Sequence, residues 1–170
     1  GGLFRDMMIH DFDMAAVLMD DPVVSVSATG SVLVDRAIGE EGDVDTATAT
    51  LVTEGGRIAV ITNSRRTTYG YDQRIEVHGS HGMITADNHR ATSLTEWGEA
   101  GMRSDPVLHF FIERYADAYR AELEAFVAGV TSGTPLNPSG QDGLNALILA
   151  EAATHSAAKG VRVTVNLERV

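Results

Sequence analysis

The sequence predicts an α+β fold with an open, mainly antiparallel sheet and helices packed on one face. Several stretches alternate apolar with polar or small residues at the period of two that strands have, most regularly in residues 46–52 and 161–167. Three others, residues 1–19, 106–130 and 139–159, repeat apolar side chains at helical spacing. Because strands and helices do not alternate along the chain, the order favours an antiparallel sheet.

Composition narrows the class of ligand. The chain has 170 residues, 44% of them hydrophobic, and its 13 basic and 24 acidic side chains give a net charge of -11. That balance argues against nucleic acid and anionic membranes as partners, whereas a small neutral ligand is compatible with it. The absence of cysteine excludes disulfides and thiolate metal sites. No signal-peptide pattern or apolar run of membrane length is visible, so a cytoplasmic protein is expected.

The first element is predicted to be one helix over most of residues 1–19. Pro22 ends it, because a residue that precedes proline is pushed out of the helical region. Its apolar stripe is expected to consist of Ile9, Phe12, Ala16 and Met19.

A polar row runs along the same helix and contains Asp6, His10 and Asp13. Residues four apart stack on one helix face, so a carboxylate at position 6 can accept a ring N–H from His10 and leave the other nitrogen free as a base. A solvated face with an incidental Asp–His pair is the more frequent arrangement of such residues. Spacing alone leaves both readings open.

The next part of the chain is expected to form three strands. Residues 24–28 alternate valine and alanine with serine, residues 30–44 have the composition of a loop, and residues 46–52 alternate threonine with alanine and leucine. A glycine turn at 54–56 then leads into a returning strand at 57–63.

The alternation in residues 46–52 gives this sheet two different faces. Small residues on one face would take the helices, and the threonine face would take the sheet of a second subunit. A solvated threonine face, which is common in antiparallel sheets, is the alternative.

The middle of the chain predicts a hairpin and a further short strand. Strands at 74–78 and 83–86 flank a glycine-containing turn, and a third is expected near 94–97. His78 and His81 meet across the turn, but no third ligand is near in sequence, so a polar hairpin end is preferred and no metal site is expected.

Two helices and a strand close the chain. A long helix is expected over 106–130, and Ser139 is expected to cap a second one that stops at Gly160. The stripe predicted for the first is Ile112, Tyr115, Tyr119, Leu123, Phe126 and Val130. The core residues predicted for the second are Leu144, Leu147, Ile148 and Ala152. Alternating residues 161–167 predict the closing strand.

Two blocks of the sequence form recognisable motifs. The first block is Asp6, three residues, His10, and then Asp11-Phe12-Asp13. The second is Tyr69-Gly70-Tyr71-Asp72, followed by a strand pair with a Gly-x-x-Gly turn. Both resemble the C-terminal domain of the Gfo/Idh/MocA oxidoreductases, and within them the branch that acts on inositol. The resemblance covers nearly the whole chain.

The resemblance implies an NAD-dependent enzyme that oxidises myo-inositol to 2-keto-myo-inositol. It assigns His10 as general base, Asp6 as the group that orients His10, and Asp13 and Tyr71 as ligands of substrate hydroxyls. In this family an N-terminal Rossmann domain with a catalytic lysine binds most of the NAD. No Gly-x-Gly-x-x-Gly turn is present, so that domain is expected to be absent from this chain, and cofactor-binding residues here are unknown.

Residues 1–170 are therefore expected to form a single substrate-binding and oligomerisation domain that is inactive alone. The family resemblance favours a homo-oligomer, a dimer or tetramer assembled through the sheet face. Two alternatives stay open: a dehydrogenase of another sugar or polyol, such as scyllo-inositol or glucose, and a non-enzymatic dimerisation module.

Overall fold

The computed structural model describes residues 1–167 and has the predicted α+β architecture. In chain order its elements are α1 (Leu3–Asp6), α2 (Met8–Met19), β1 (Val23–Ser31), α3 (Arg36–Glu40), β2 (Thr46–Thr53), β3 (Ile58–Ser64), β4 (Ile75–Gly79), β5 (Gly82–Ala86), β6 (Thr95–Gly98), β7 (Gly101–Ser104), α4 (Phe111–Arg114), α5 (Ala116–Ser132), α6 (Gly140–Lys159) and β8 (Val163–Thr164).

The chain divides into two compact units. The first unit is Gly1–Arg66 together with the part from Asn137 onward, and the second unit is Thr67–Leu136. The expectation that residues 1–170 act as one substrate-binding and oligomerising domain remains a proposal about function.

An antiparallel sheet in the order β3-β2-β1-β8 is the centre of the first unit. Its two faces differ as predicted: Ala47, Ala49 and Leu51 of β2 are buried, whereas Thr48 between them is exposed. Helices α2 and α6 pack on the buried face, where Phe12 and Leu149 join the core. The prediction of helices on one face of an antiparallel sheet is confirmed.

The predicted first helix is broken in the structure. Met7, with φ -108° and ψ -61°, separates α1 from α2. Phe12 and Met19 are buried as expected, but Ile9 and Ala16 are only half-buried, and Met8 is fully buried in their place. Neither proline nor glycine stands at the break, so the sequence carries no signal for it.

The predicted loop at 30–44 is partly structured. Strand β1 continues to Ser31, and the short helix α3 follows, with the carboxylate of Asp35 accepting from Ala37 N at 3.0 Å as its N-cap. Acid- and glycine-rich sequence is typical of loops, and a single helical turn is too short to give a periodic pattern.

The buried carboxylate of Asp45 holds the backbone between β1 and α3. It accepts hydrogen bonds from the backbone of Leu33, Val34 and Asp35 at 2.8–2.9 Å and from the Thr46 hydroxyl at 2.9 Å. Burial raises the pKa of Asp45, but these bonds outweigh it and hold the pKa at about 2.

The second unit contains two hairpins and two helices. Hairpins β4–β5 and β6–β7 are separate two-stranded sheets, and the second hairpin extends the single strand predicted near 94–97. The long helix predicted over 106–130 starts later than expected and is interrupted: residues 106–110 are not helical, α4 begins at Phe111, and Tyr115 separates it from α5.

The apolar stripe predicted for that helix is not buried. Tyr119, Leu123, Phe126 and Val130 keep 49–64% of their surface exposed, and Gly129 is the one buried residue of α5. Helical periodicity finds an apolar face, but it does not say which surface covers that face.

Helix α6 begins and ends where the sequence predicts. Ser139 and Asp142 form a capping box, and Gly160 ends the helix in the left-handed region at φ 67°. Its core face agrees with the prediction in part: Ala152 is buried and Ile148 is half-buried against the core, whereas Leu144 and Leu147 are exposed. The other buried residues of the helix are Ala146, Leu149, Ala150, Ala153 and Ser156. The closing strand is shorter than predicted, only Val163–Thr164. No helix within residues 1–167 is long and apolar enough to cross a membrane.

We expect Asp45→Asn to destabilise the first unit in a pH-dependent way. The pKa of Asp45 is about 2 in the folded chain and about 3.9 when unfolded, so its contribution is present above about pH 4 and is lost as the pH falls toward 2. Urea unfolding of both proteins between pH 7 and pH 2.5 measures the difference. A difference that stays constant or grows toward acid contradicts this account.

Candidate functional site

His10 lies on the solvent side of α2. The opposite side of this helix is fixed in the core by Met8, Phe12 and Met19, and this packing leaves the imidazole exposed. Within residues 1–167 the ring takes part in no hydrogen bond. An exposed imidazole that makes no hydrogen bond is accessible to a ligand, and imidazole is the side chain that serves most often as a general base.

Asp6 does not continue a row on the same helix as His10, and that expectation is wrong. It is the last residue of α1, before the break at Met7, and its carboxylate accepts from Arg65 Nη1 at 3.3 Å. The side chain of Asp6 is 60% exposed, so the ion pair leaves part of the carboxylate accessible. The role of Asp6 in orienting His10 stays a prediction.

Arg65 connects three parts of the first unit. It follows β3, where its N–H donates to Asp45 O at 2.8 Å, and its Nη2 donates to Asp43 Oδ2 at 3.1 Å. Asp43 Oδ1 in turn accepts from Leu3 N, at the start of α1, at 2.9 Å. One guanidinium therefore fixes both the beginning of α1, through Asp43, and its end, through Asp6.

These contacts shift the pKa of Asp43. Burial raises it, but the backbone N–H groups of Leu3 and Val44 and the guanidinium of Arg65 outweigh burial, so that the pKa lies below its usual range. Asp43 therefore stays ionised at neutral pH and remains an acceptor for the start of α1.

Asp11 and Asp13, which follow His10 on α2, have different surroundings. Asp11 turns toward the sheet and accepts from Asn63 Nδ2 of β3 at 2.9 Å. Burial raises the pKa of Asp11, while the Asn63 bond and the charge of His10 act in the opposite direction. Asn63 Oδ1 is buried and has no partner within residues 1–167. Asp13 is half-buried on α2.

Tyr71 lies in the second unit. Its N–H donates to Leu108 O at 2.9 Å, and its half-buried ring packs edge-on against Tyr115 at 5.9 Å between centroids and against Phe111 at 6.5 Å. The backbone and the ring of Tyr71 are thus both held by the segment that leads into α4 and α5.

The neighbouring Asp72 collects four hydrogen bonds. Arg74 donates from Nε at 2.8 Å and from Nη2 at 3.0 Å, Asn88 Nδ2 donates at 2.6 Å, and the Tyr69 hydroxyl also donates. The Arg74 bond lowers the pKa of Asp72 most; burial opposes it, and with Tyr69 and Asn88 the pKa is held at about 2.

The sequence predicts His10, Asp6, Asp13 and Tyr71 as site residues, but it does not predict the residues that fix the segments around them. Arg65, Asp43, Asn63 and Asn88 have ordinary polar sequence surroundings, and their partners are 15 to 59 residues away. No group of three or more His, Asp or Glu side chains within residues 1–167 is arranged to bind a metal ion.

We expect Arg65→Met to raise the pKa of the Asp43 carboxyl part of the way to its usual value. The guanidinium is lost, while the bonds from Leu3 and Val44 remain. A carboxyl ¹³C NMR titration of the chain measures the shift. Arg66→Met, which removes an adjacent exposed guanidinium, is the matched control and should leave the pKa of Asp43 unchanged. The same Asp43 titration curve in both variants would show that Arg65 does not act on Asp43.

Comparison with known proteins identifies the family. Residues 1–166 match the family model described as "Oxidoreductase family, C-terminal alpha/beta domain". The chain is 52% identical to the myo-inositol 2-dehydrogenase of Thermotoga maritima over 100% of this chain and 50% of that protein. It superposes on a myo-inositol dehydrogenase from Corynebacterium glutamicum with a TM-score of 0.93 at 44% identity, covering 98% of this chain and 50% of that one.

A third relative was solved with ligands. The myo-inositol dehydrogenase of Lactobacillus casei, in complex with NAD(H) and myo-inositol, has a TM-score of 0.81 and 27% identity over 96% of this chain and 48% of its own. The chain thus spans about half the length of the relatives it matches. It belongs to the Gfo/Idh/MocA oxidoreductase family and corresponds to the C-terminal α/β domain of that family.

Proposed function

We propose that this chain is the substrate-binding and oligomerising part of an NAD-dependent inositol 2-dehydrogenase that oxidises myo-inositol to 2-keto-myo-inositol. The observation that carries the proposal is the exposed, unbonded imidazole of His10, presented by a helix whose other face is buried. The 52% identity to the Thermotoga maritima enzyme supports inositol as the substrate.

The proposed reaction moves one proton and one hydride. His10 accepts the proton of the reacting hydroxyl, the C–H bond of the same carbon breaks as a hydride, and a ketone forms. NAD, when bound, supplies the hydride acceptor. A positioned base of this kind contributes about 10²–10⁴-fold to the rate.

The described residues do not fit the dinucleotide itself. A dinucleotide crevice is built between parallel strands, and every strand pair within residues 1–167 is antiparallel. We therefore assign NAD to a Rossmann domain outside this chain, together with the catalytic lysine that the family resemblance implies.

The other predicted site residues are proposed to support His10 or to bind the polyol. Asp6, held by Arg65, keeps an accessible carboxylate beside the start of α2 and would support the positive charge that develops on His10. Asp13 and Tyr71 would contact hydroxyls of the polyol. Carboxylates and phenols suit a neutral polyol because its hydroxyl groups both donate and accept hydrogen bonds.

A fusion protein tests the activity. In it, this chain replaces the C-terminal half of the Thermotoga maritima myo-inositol 2-dehydrogenase, and NADH formation is followed with myo-inositol, scyllo-inositol and glucose. Preferred oxidation of myo-inositol supports the proposal, and preferred oxidation of another polyol redirects it to that substrate. A folded fusion that oxidises none of them, while the parent enzyme does, would argue for the non-enzymatic alternative. The chain without its partner half should form no NADH.

In this fusion we expect His10→Gln to lower kcat by about 10²–10⁴-fold with little change in KM, because the proton moves only as the hydride leaves. His155→Gln on α6 is the matched control, since it also alters an exposed helical histidine of the first unit and should be silent. Steady-state kinetics and melting temperatures are measured on both variants. Equal kcat values for the two, or a loss in His10→Gln explained by a lower melting temperature, would refute the assignment.

We also propose that the outer face of the sheet associates with a second copy, giving a dimer or tetramer, in a cytoplasmic protein. This face carries Ile58 and Val60, which are 66% and 67% exposed, among the outward threonines Thr48 and Thr50. Because a solvated threonine face would not carry these exposed aliphatic side chains, they favour a contact surface.

Val60→Lys should therefore weaken self-association. A lysine on this face of the edge strand β3 brings a charge into the proposed contact, whereas Leu33→Lys, at a residue that is 73% exposed and outside the sheet, is the control. Light scattering at high micromolar concentration measures the mass of each. A monomeric unmodified chain, or equal association in both variants, contradicts the proposal.

A further inference from the structure

We propose that Asn88 is a positioning residue for Tyr71, because its side-chain amide ties the two residues that follow Tyr71 to the segment after β5. The inference rests on the proposed function, in which Tyr71 binds a hydroxyl of the substrate. Its argument uses contacts within the second unit alone.

The side-chain amide of Asn88 both donates and accepts a hydrogen bond. Its Nδ2 donates to Asp72 Oδ1 at 2.6 Å, and its Oδ1 accepts from Gln73 N at 2.8 Å. Two consecutive residues are thereby bound by one side chain 15 and 16 positions away. An amide is suited to this arrangement because it offers a donor and an acceptor side by side.

The carboxylate that Asn88 holds is itself fixed from other directions. Arg74 donates two hydrogen bonds to Asp72 in a fork, and the Tyr69 hydroxyl donates a further one. Asp72 therefore connects the residue two before Tyr71 with the residue three after it. Asn88 is the only member of this group of four that lies outside residues 69–74.

On the other side of Tyr71, the backbone is pressed against the segment at 107–108. Gly70 has φ +127°, and a Cβ built on it would lie 2.5 Å from Val107 Cγ2 and 2.9 Å from Leu108 O. The next residue, Tyr71, donates its N–H to the same Leu108 O at 2.9 Å. No side chain larger than hydrogen fits at position 70 without displacing this contact.

Tyr71 is thus held between two anchors, the glycine contact before it and the Asn88 amide after it, with its ring against Tyr115 and Phe111. The direction of its hydroxyl is fixed before any ligand arrives. A pre-ordered hydroxyl binds without the cost of ordering the loop, so releasing the second anchor should weaken substrate binding rather than the chemical step.

We expect Asn88→Ala in the fusion protein to raise KM for myo-inositol by roughly two- to tenfold, the loss expected for a single hydrogen-bonding group, with kcat nearly unchanged. Asn88→Asp, which keeps the size and the acceptor for Gln73 but cannot donate to Asp72 when ionised, should raise KM at least as much. Thr92→Ala is the control: it removes a hydrogen bond to Asp105 in the same unit without touching residues 69–74.

A double variant separates positioning of Tyr71 from a general effect on stability. If Asn88 acts through Tyr71, then Asn88→Ala should add little to the KM of Tyr71→Phe, because the group that it positions is already gone. Full additivity of the two changes would overturn the proposal. An unchanged KM in Asn88→Ala and Asn88→Asp would overturn it as well.

Amide hydrogen exchange of the chain by itself keeps this test independent of catalysis. We expect faster exchange at Tyr71 and Gln73 in Asn88→Ala than in the unmodified chain or in Thr92→Ala. If the unmodified fusion oxidises no polyol, the proposed function fails, and exchange alone decides whether Asn88 fixes the loop. Unchanged exchange at both amides would contradict the positioning role whatever the fusion does.

Discussion

The packing of α2 and α6 on the alanine face of the sheet is the constraint on which the rest of the first unit depends. Ala47 and Ala49 of β2 are buried in one core with Phe12 of α2 and Leu149 of α6, and the helices make their contacts with the neighbouring strands β1 and β3. This contact fixes the rotation of α2 about its axis. His10 is consequently directed to solvent, whereas the adjacent Asp11 turns inward and meets Asn63 of β3. The same packing therefore leaves the imidazole of His10 accessible and places the carboxylate of Asp11 against the sheet.

Three carboxylates of this acidic chain are held by several hydrogen-bond donors each. Asp45 is held by backbone N–H groups, Asp43 by the start of α1 and by Arg65, and Asp72 by Arg74 and Asn88. Such bonds favour the ionised form and specify direction, so the carboxylates act as fixed connectors between segments. Such carboxylates occur in both units, so that the start of α1 and the segment around Tyr71 are fixed by electrostatics as well as by packing.

The sequence predicts those features that depend on local periodicity and chemistry. The two-sided strand at 46–52, the N-cap at Ser139 and the stop at Gly160 follow from residue types within a few positions of each other. The Asp6–Arg65 pair does not, because its two residues are 59 positions apart in the sequence. The break at Met7 has no local signal either, since neither proline nor glycine stands there. The predicted burial of the apolar stripe of α5 is wrong for a related reason, since periodicity identifies an apolar face but not the surface that covers it. Family resemblance supplied His10 and Tyr71, and only three-dimensional contacts reveal Arg65 and Asn88.

The central claim is that His10 takes the hydroxyl proton in the same step in which the hydride leaves. The most direct measurement is the solvent deuterium isotope effect on hydride transfer in the fusion protein, determined in single-turnover experiments with myo-inositol deuterated at the reacting carbon. The account predicts that solvent and substrate isotope effects act on one step in the unmodified fusion, and that the solvent effect changes when His10 is replaced by glutamine. A solvent effect that is absent from hydride transfer, or that is the same with and without His10, would contradict it.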